Sequence, residues 1–166
     1  REIGVGHNAP YRHFKNKQEL LEAMASMGFR QLKAYNLRLE LQYANDPETQ
    51  LFESAMYLIN MATDETNLFK LMFGGSLSLF DCGEELKKES QASMQSFIKI
   101  LSQGQQQALF NQDNLICQTL ATMSLIYGFA MKTSSGMLQD VPKNPDQIRG
   151  FTLQVFDILL TGLKKS

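Results

Sequence analysis

Apolar residues recur every three or four positions along most of this 166-residue chain, and that spacing constrains the fold more than any other feature. An α-helix turns once in about 3.6 residues, so the spacing places the apolar side chains on one helix face. No strand-like alternation of apolar and polar residues persists anywhere in the sequence. The sequence therefore predicts an all-α protein.

Prolines, glycines and polar clusters interrupt the periodicity and divide the chain into helices. The predicted helices cover Lys17 to about Tyr43, a segment from the Asn45-Asp46-Pro47 break to about Thr63, and then Glu65–Phe73, Gly83–Ala108, Asn114–Ser135 and Asp146–Leu163. The inner face of the first helix is predicted to carry Leu20, Met24, Met27, Gln31, Tyr35 and Leu39. The Gln-rich run 103–107 is interpreted as a solvated helix end.

A short polar helix is predicted ahead of the first long one. Gly4 and Gly6 suit a sharp turn, because glycine adopts positive φ without steric cost. The cap of the short helix is either Gly6 or Asn8, and Asn8 would place Pro10 in the first turn, where its missing N–H does no harm. The helix ends near Phe14. Its Tyr, His, Arg and Asn side chains can donate to phosphate oxygens, and Arg and Asn can also read base edges.

The N-terminal segment is basic, whereas the rest of the chain is acidic. Arg1, Arg12, Lys15 and Lys17 stand against Glu2 alone, which is a net charge of +3 in a chain whose total is −1. A basic tip on an acidic body is typical of a protein that touches phosphate at one end. A solvated terminus would explain the charge as well, so the order of the residues must decide.

The first long helix has a clear start signal. Asn16 is its predicted cap, and Glu19 follows at the capping-box spacing. Lys17 would lie at the first helical position, where a cation is unfavourable to the helix dipole unless an anion binds there. Lys17 is therefore either a phosphate contact or an exposed lysine without a role.

The string Tyr11-Arg12-His13-Phe14 with Asn16-Lys17 resembles the start of a TetR-family transcriptional regulator, whose recognition helix carries a Tyr-x-His-Phe signature. Gly4-Val5 is similar to the turn before that helix. By this resemblance, the chain begins near the end of the second helix of a helix-turn-helix domain. It implies that residues 1–40 hold the C-terminal part of the DNA-binding domain and a connecting helix, and that residues 41–166 form a helical ligand-binding and dimerisation domain.

The resemblance also implies which residues contact DNA. Tyr11, His13 and Lys17 would contact phosphates. The base edges would be faced or flanked by His7, Asn8, Ala9, Pro10 and Arg12. Phe14 is expected to pack beneath the recognition helix.

The last two predicted helices are the most hydrophobic. They either close the core of the monomer or, as in the TetR family, form a four-helix bundle with their copies in a second subunit. A two-fold dimer reads two half-sites of a palindrome, which favours a homodimer. The expected interface residues are Ile116, Leu120, Ile148, Phe151, Val155, Ile158 and Leu159.

A second, weaker resemblance lies in the fifth predicted helix. Met123, Tyr127 and Gly128 occupy the positions of the Trp-x-x-x-His-Gly signature of one TetR C-terminal subgroup, but only the glycine matches. Gly128 inside a helix predicts the close approach of another helix.

Nine methionines, eleven phenylalanines and five tyrosines are many for this length, and such linings suit apolar ligands of varied shape. In the TetR family, a cavity in the C-terminal domain binds a small inducer. Taken singly, each candidate is more typical of ordinary core than of a ligand site. The candidates are Tyr57, Met61, Phe69, Met72, Phe73, Met94, Phe97, Met123 and Tyr127.

Other function classes find little support. The chain carries no Walker-type glycine loop, no Gly-x-Ser-x-Gly and no His or Cys metal spacing, so we expect no catalysis, no cofactor and no metal site. Cys82 and Cys117 form no disulfide framework, and a reducing cytoplasm is the default. The apolar stretch Leu120–Met131 is too short to span a bilayer, so no membrane partner is expected.

Two hypotheses on function remain. The resemblance implies a ligand-responsive repressor that binds palindromic operator DNA as a homodimer and is released by a small apolar or aromatic inducer. The alternative is a helical dimerisation or small-molecule-binding module without DNA recognition.

Overall fold

A computed structural model describes residues 14–79, 81–135 and 144–164, with the side chains of Pro145 and Asp146 left out. Over these ranges the regular structure is helical throughout, which confirms the all-α prediction. The helices are α1 (Lys17–Gln42), α2 (Pro47–Asp64), α3 (Thr66–Phe73), α4 (Glu84–Gln106), α5 (Leu115–Ser135) and α6 (Pro145–Leu163). The predicted helix bounds agree with these to within two residues.

Side-chain caps explain why several helices begin where they do. The Oδ1 of Asn16 accepts a hydrogen bond from the N–H of Glu19 at 2.8 Å, and that of Asp46 accepts one from the N–H of Thr49 at 3.0 Å. Asn114 accepts from the N–H groups of Ile116 and Cys117. Each cap satisfies backbone donors that have no partner within their own helix.

Helix α1 runs parallel to α4 along a closely packed seam. The residue pairs that join the two helices advance together from Glu22 and Gly83 at one end to Glu40 and Lys99 at the other. The α1 side of the seam is buried at Ala25, Ser26, Gly28, Phe29, Leu32, Asn36 and Leu39.

The predicted inner face of α1 is wrong at three of its six positions, whereas Leu39 is buried and Leu20 and Tyr35 are half-buried. Met24 and Met27 are 42% and 47% exposed, and Gln31 is also exposed. The buried face lies about one residue further along the helix than predicted. It includes the small residues Ala25, Ser26 and Gly28, which allow close packing. A Cβ on Gly28 would lie 2.3 Å from the Sδ of Met72, so α1 approaches α3 more closely than a larger residue permits.

Asn36 is the centre of a buried hydrogen-bond network in the middle of the bundle. Its Nδ2 donates to the Oγ of Ser96 on α4 at 3.0 Å, and its Oδ1 accepts from the Oγ of Ser54 on α2 at 2.8 Å. Asn36 is 2% exposed and Ser54 is fully buried, so each group needs the other as a partner. This contact fixes the relative positions of α1, α2 and α4.

The Gln-rich end of α4 is part of the packed structure, and its interpretation as a solvated helix end is wrong for residues 103–105. Gln103 donates to the carbonyl of Ala44, and Gln105 donates to the carbonyl of Asn111 at 2.9 Å. Gly104 is buried against the ring of Phe110. These contacts attach the loop after α4 to the rest of the bundle.

Helices α5 and α6 close the other side of the bundle, but each buries only one face. Thr122, Met123 and Ile126 of α5 are buried, as are Thr152 and Phe156 of α6. An ion pair at 2.7 Å between Arg149 and Glu53 ties α6 to α2. The opposite faces of both helices point to solvent.

Helix α5 extends beyond the apolar stretch Leu120–Met131, so the argument that this segment is too short to span a bilayer needs correction. Among the helices in the described ranges, α5 alone meets the length and composition needed for a span, with a mean hydropathy of 1.2. One such helix is weak support for a membrane span, because core helices pass the same test. In this structure α5 packs against α2 and α4.

Candidate ligand pocket and nucleic-acid interface

Most of the predicted DNA-contact residues lie outside the described part of the chain. These are His7, Asn8, Ala9, Pro10, Tyr11, Arg12 and His13. Lys17, a predicted phosphate contact, and Phe14, expected to pack beneath the recognition helix, do lie in the described part. Phe14 is half-buried, and Lys17 is the exposed first residue of α1.

The start of α1 leaves the Lys17 side chain free. Asn16 caps the helix, and the Glu19 carboxylate turns back to accept from the N–H of Lys15 at 2.5 Å. Within the described residues, no carboxylate forms an ion pair with the Lys17 ammonium. An unpaired cation at a helix N-terminus is well placed to meet an anion.

A pocket of about 470 Å³ opens between α1, α3, α4 and α5. That volume lies in the range of small-molecule sites. Its walls are mainly apolar, with a polar strip contributed by α4. The lining residues are Phe29, Met72, Phe73, Gly75, Leu77, Leu79, Ser90, Gln91, Ser93, Met94, Gln95, Met123 and Tyr127.

Five of the nine candidate ligand residues line this pocket: Met72, Phe73, Met94, Met123 and Tyr127. The other four lie elsewhere. Met61, Phe69 and Phe97 are buried in the general core, and Tyr57 stacks on Tyr35 with 4.3 Å between ring centroids. These four side chains fill interhelical space and do not line the cavity.

Phe73 is the centre of the aromatic wall. Its ring lies 4.5 Å from that of Tyr127 and 5.1 Å from that of Phe69, measured between centroids. It also meets Phe29 edge-on at 5.5 Å. Because Phe29 belongs to α1, the pocket touches the helix that begins at Lys17.

The sequence did not predict that Phe29 and the polar residues of α4 line the pocket. Phe29 was overlooked because the inner face of α1 was placed one residue away. Ser90 and Ser93 gave no signal, since polar residues on a charged helix are usually solvated. Only the packing of α4 against α1 and α5 turns them towards a cavity.

Among the residues that the structure describes, no charged side chain lines the pocket. Burial raises the pKa of the Tyr127 phenol, so this hydroxyl stays protonated at neutral pH and can donate a hydrogen bond. The site is suited to a neutral molecule with a large apolar surface.

Solved structures of similar shape were found. The chain superposes with a TM-score of 0.80 on a protein with unknown function from Rhodococcus sp. RHA1, at 24% identity, covering 99% of this chain and 82% of that one. It superposes with a TM-score of 0.68 on a bacterial regulatory protein in the TetR family from Rhodococcus RHA1, at 16% identity, covering 97% of this chain and 81% of that one.

The fold resembles that of a TetR-family regulatory protein. No protein-family model matches the sequence, and no curated protein is significantly similar to it. At these identities, the likeness to the TetR-family protein concerns the fold alone.

The seven residues predicted for a dimer interface differ in their surroundings. Ile116, Leu120 and Ile158 are 67%, 56% and 70% exposed. Ile148, Phe151 and Val155 are half-buried, and Leu159 is buried within its own chain. Helices α5 and α6 therefore each carry exposed apolar side chains, and Leu153 of α6 is another at 50% exposure.

Gly128 lies on the same outer face. A Cβ built on it would meet no atom within 4 Å, so the close approach predicted for Gly128 is not made inside the described chain. Gly150 and Gly162 of α6 are equally open. We refer to the exposed surface formed by Ile116, Leu120, Gly128, Leu153 and Ile158 as the α5–α6 outer face.

Neither cysteine forms part of a metal site in the described ranges, where no group of three or more His, Cys, Asp or Glu side chains comes together. Cys82 is buried and Cys117 is exposed, and both are free thiols.

Proposed function

We propose that the protein is a ligand-responsive transcriptional regulator, a repressor in the cytoplasm that binds palindromic operator DNA as a homodimer. A small apolar or aromatic inducer in the α1–α3–α4–α5 pocket releases the DNA. The observation that carries the proposal is the place of Phe29: it lines the pocket and lies on the helix that directly follows the basic, Tyr-x-His-Phe segment.

A route from ligand to DNA follows from the contacts of α1. Met72 lines the pocket and also packs against the bare backbone of Gly28. A ligand that displaces Met72 or Phe29 would change the packing of α1 against α3. A change in α1 alters the distance between the two tips of a dimer, so ligand and DNA compete through one coupled equilibrium.

The dimer part of the proposal is supported by the α5–α6 outer face. Isolated apolar residues are common on surfaces, but several large ones exposed on two neighbouring helices support an interface there. Small residues such as Gly128 allow helices of two subunits to approach closely. A second copy of this chain is the proposed occupant, because a two-fold dimer reads two half-sites of a palindromic operator.

The test is DNA binding by the full-length protein. A duplex selected from a random library is compared with a scrambled duplex over a series of salt concentrations. We expect specific binding that weakens steeply with salt, because neutralised phosphates release counterions. Equal affinity for both duplexes at moderate salt would contradict the regulator proposal and favour a module without DNA recognition.

Lys17→Ala sharpens this test. The change should weaken binding to both duplexes and lower the salt slope by about one for each lost phosphate contact, hence by about two in a dimer. Lys99→Ala is the matched control. Lys99 pairs with Glu40 at the far end of α1, about 35 Å from Lys17 along the helix axis, and its loss should leave DNA affinity unchanged.

A further inference from the structure

Two hydroxyl groups in the pocket lack hydrogen-bond partners within the described part of the protein. Ser93 is 4% exposed, yet its side chain donates to no carbonyl. The Tyr127 hydroxyl also has no hydrogen bond, and its ring packs on Phe73. Both residues line the cavity.

The state of Ser93 is unusual for this protein. Other buried hydroxyls have partners: Ser26 donates to the carbonyl of Glu22 at 2.8 Å, Thr152 to that of Ile148 at 2.7 Å, and Ser54 to the Oδ1 of Asn36 at 2.8 Å. Thr122 differs from Ser93, because its Oγ1 is itself buried without a partner and it lines a separate groove between α5 and α6. The Ser93 and Tyr127 oxygens are open to the cavity, so an occupant that displaces water without hydrogen-bonding to them would leave both unsatisfied, and one that accepts from them is favoured.

The remainder of the pocket restricts what that occupant can be. Phe29, Phe73 and the ring of Tyr127 offer a broad aromatic wall, whereas no cation or anion lines the cavity. A charged ligand would lose its hydration without gaining an ion-pair partner. A pure hydrocarbon would leave both hydroxyls unsatisfied.

We propose that the pocket selects a neutral aromatic molecule carrying a carbonyl-type oxygen, which accepts hydrogen bonds from the hydroxyls of Ser93 and Tyr127. This inference rests on the proposed function, in which the same pocket holds the inducer. It adds the chemical class of the ligand and the two side chains that recognise it.

Benzophenone and diphenylmethane are suitable probes, because they share two phenyl rings and differ in the carbonyl oxygen. Calorimetric titration of each into the full-length protein should show benzophenone binding roughly ten- to 100-fold more tightly, because each of two net neutral hydrogen bonds is expected to contribute about three- to tenfold. Tyr127→Phe and Ser93→Ala should each reduce this preference. The affinity for diphenylmethane should stay the same.

Tyr57→Phe is the matched control, since Tyr57 loses the same atom outside the pocket and should alter neither affinity. Equal binding of the two probes to the unaltered protein would overturn the role of the hydroxyls and leave the pocket of the proposed function intact. A loss of affinity for both probes in Tyr127→Phe would also overturn it, by indicating a change in pocket shape. Binding of neither probe would overturn the inference, whereas the DNA-binding test decides the regulator proposal independently.

Discussion

The seam between α1 and α4 is polar but closed, whereas the outer face of α5 and α6 is apolar but open to solvent. The seam joins two helices rich in charged and polar residues, and it is closed, with Asn36 and Glu89 buried inside it. The outer face belongs to the most apolar helices, yet it is open, with Ile116 and Ile158 more than half exposed. In this protein, the hydrophobicity of a helix therefore does not predict which of its faces is buried. Burial depends on whether another helix packs against that face.

Glycines mark the same difference. Cβ atoms added to Gly28 and Gly104 would collide with Met72 and Phe110. Cβ atoms added to Gly128, Gly150 and Gly162 would meet nothing within 4 Å. The space between Gly28 and α3, and between Gly104 and the loop after α4, is already filled by the chain, whereas the space around the outer face is available for another molecule.

The largest effect is expected from a charge on the outer face. Leu120→Asp places a carboxylate in the proposed dimer interface twice, once per subunit, and burying it unpaired is costly. The dimer dissociation constant should rise at least about 100-fold, which corresponds to about 2.7 kcal/mol. Sedimentation equilibrium measures the shift.

Leu41→Asp is the control for this change. Leu41 is 84% exposed on α1, away from α5 and α6, and its replacement should leave the dissociation constant unaltered. If the unaltered protein sediments as a monomer at micromolar concentration, the outer face is not a homodimer interface and this half of the comparison fails.

The next effect is expected from filling the space at Gly104. In Gly104→Ala, the new Cβ would lie 2.0 Å from the ring of Phe110, which is 1% exposed and cannot turn away easily. Overpacking should lower the free energy of unfolding by about 2–3 kcal/mol, measured by denaturant titration.

Gly128→Ala is the matched control, measured in the Leu120→Asp background, where subunits are expected to be separate. With open space around it, the alanine should stabilise the helix by up to about 1 kcal/mol through its higher helix propensity. Equal losses at Gly104 and Gly128 would show that the two regions do not differ in packing.

The smallest effect concerns the ion pairs of the seam. Lys33 donates to the Glu89 carboxylate at 2.8 Å and, with Arg30 nearby, lowers the pKa of Glu89 from its ordinary value. Glu89→Gln should lower the free energy of unfolding by about 1–2 kcal/mol at neutral pH, because the amide can still accept from Lys33 but the attraction between the carboxylate and the two cations is lost. Chemical denaturation at several pH values measures the difference.

The sign of the pH dependence follows from the lowered pKa. The contribution of Glu89 is present above pH 4.5, its value without neighbours, and is lost as the pH falls through the folded-state value. The gap between the unaltered protein and Glu89→Gln should therefore narrow in acid. Glu84→Gln is the control: its side chain is 93% exposed, and its loss should change stability by less than about 0.5 kcal/mol at any pH.

Helix positions could be predicted from the chain because their signals are local. Asn16 and Asp46 cap the helices that follow them, as their side chains predict. The pocket was predictable in part, since Met72, Phe73 and Tyr127 are large apolar residues on helices. Phe29 was not, because α1 carries apolar residues on two faces, and the face that packs is the one with small residues at Ala25 and Gly28.

The order of residues alone thus decided where each helix begins and ends, since capping and 3.6-residue periodicity act within a few neighbouring residues. The folded bundle decided which face of α1 is buried, why Ser93 borders a cavity and why the Gln-rich end of α4 is tied down. Those outcomes depend on close contact between segments far apart in the chain, where the fit of a glycine against a methionine outweighs hydrophobicity. The apolar outer face of α5 and α6 stays open because no segment of the described chain packs against it.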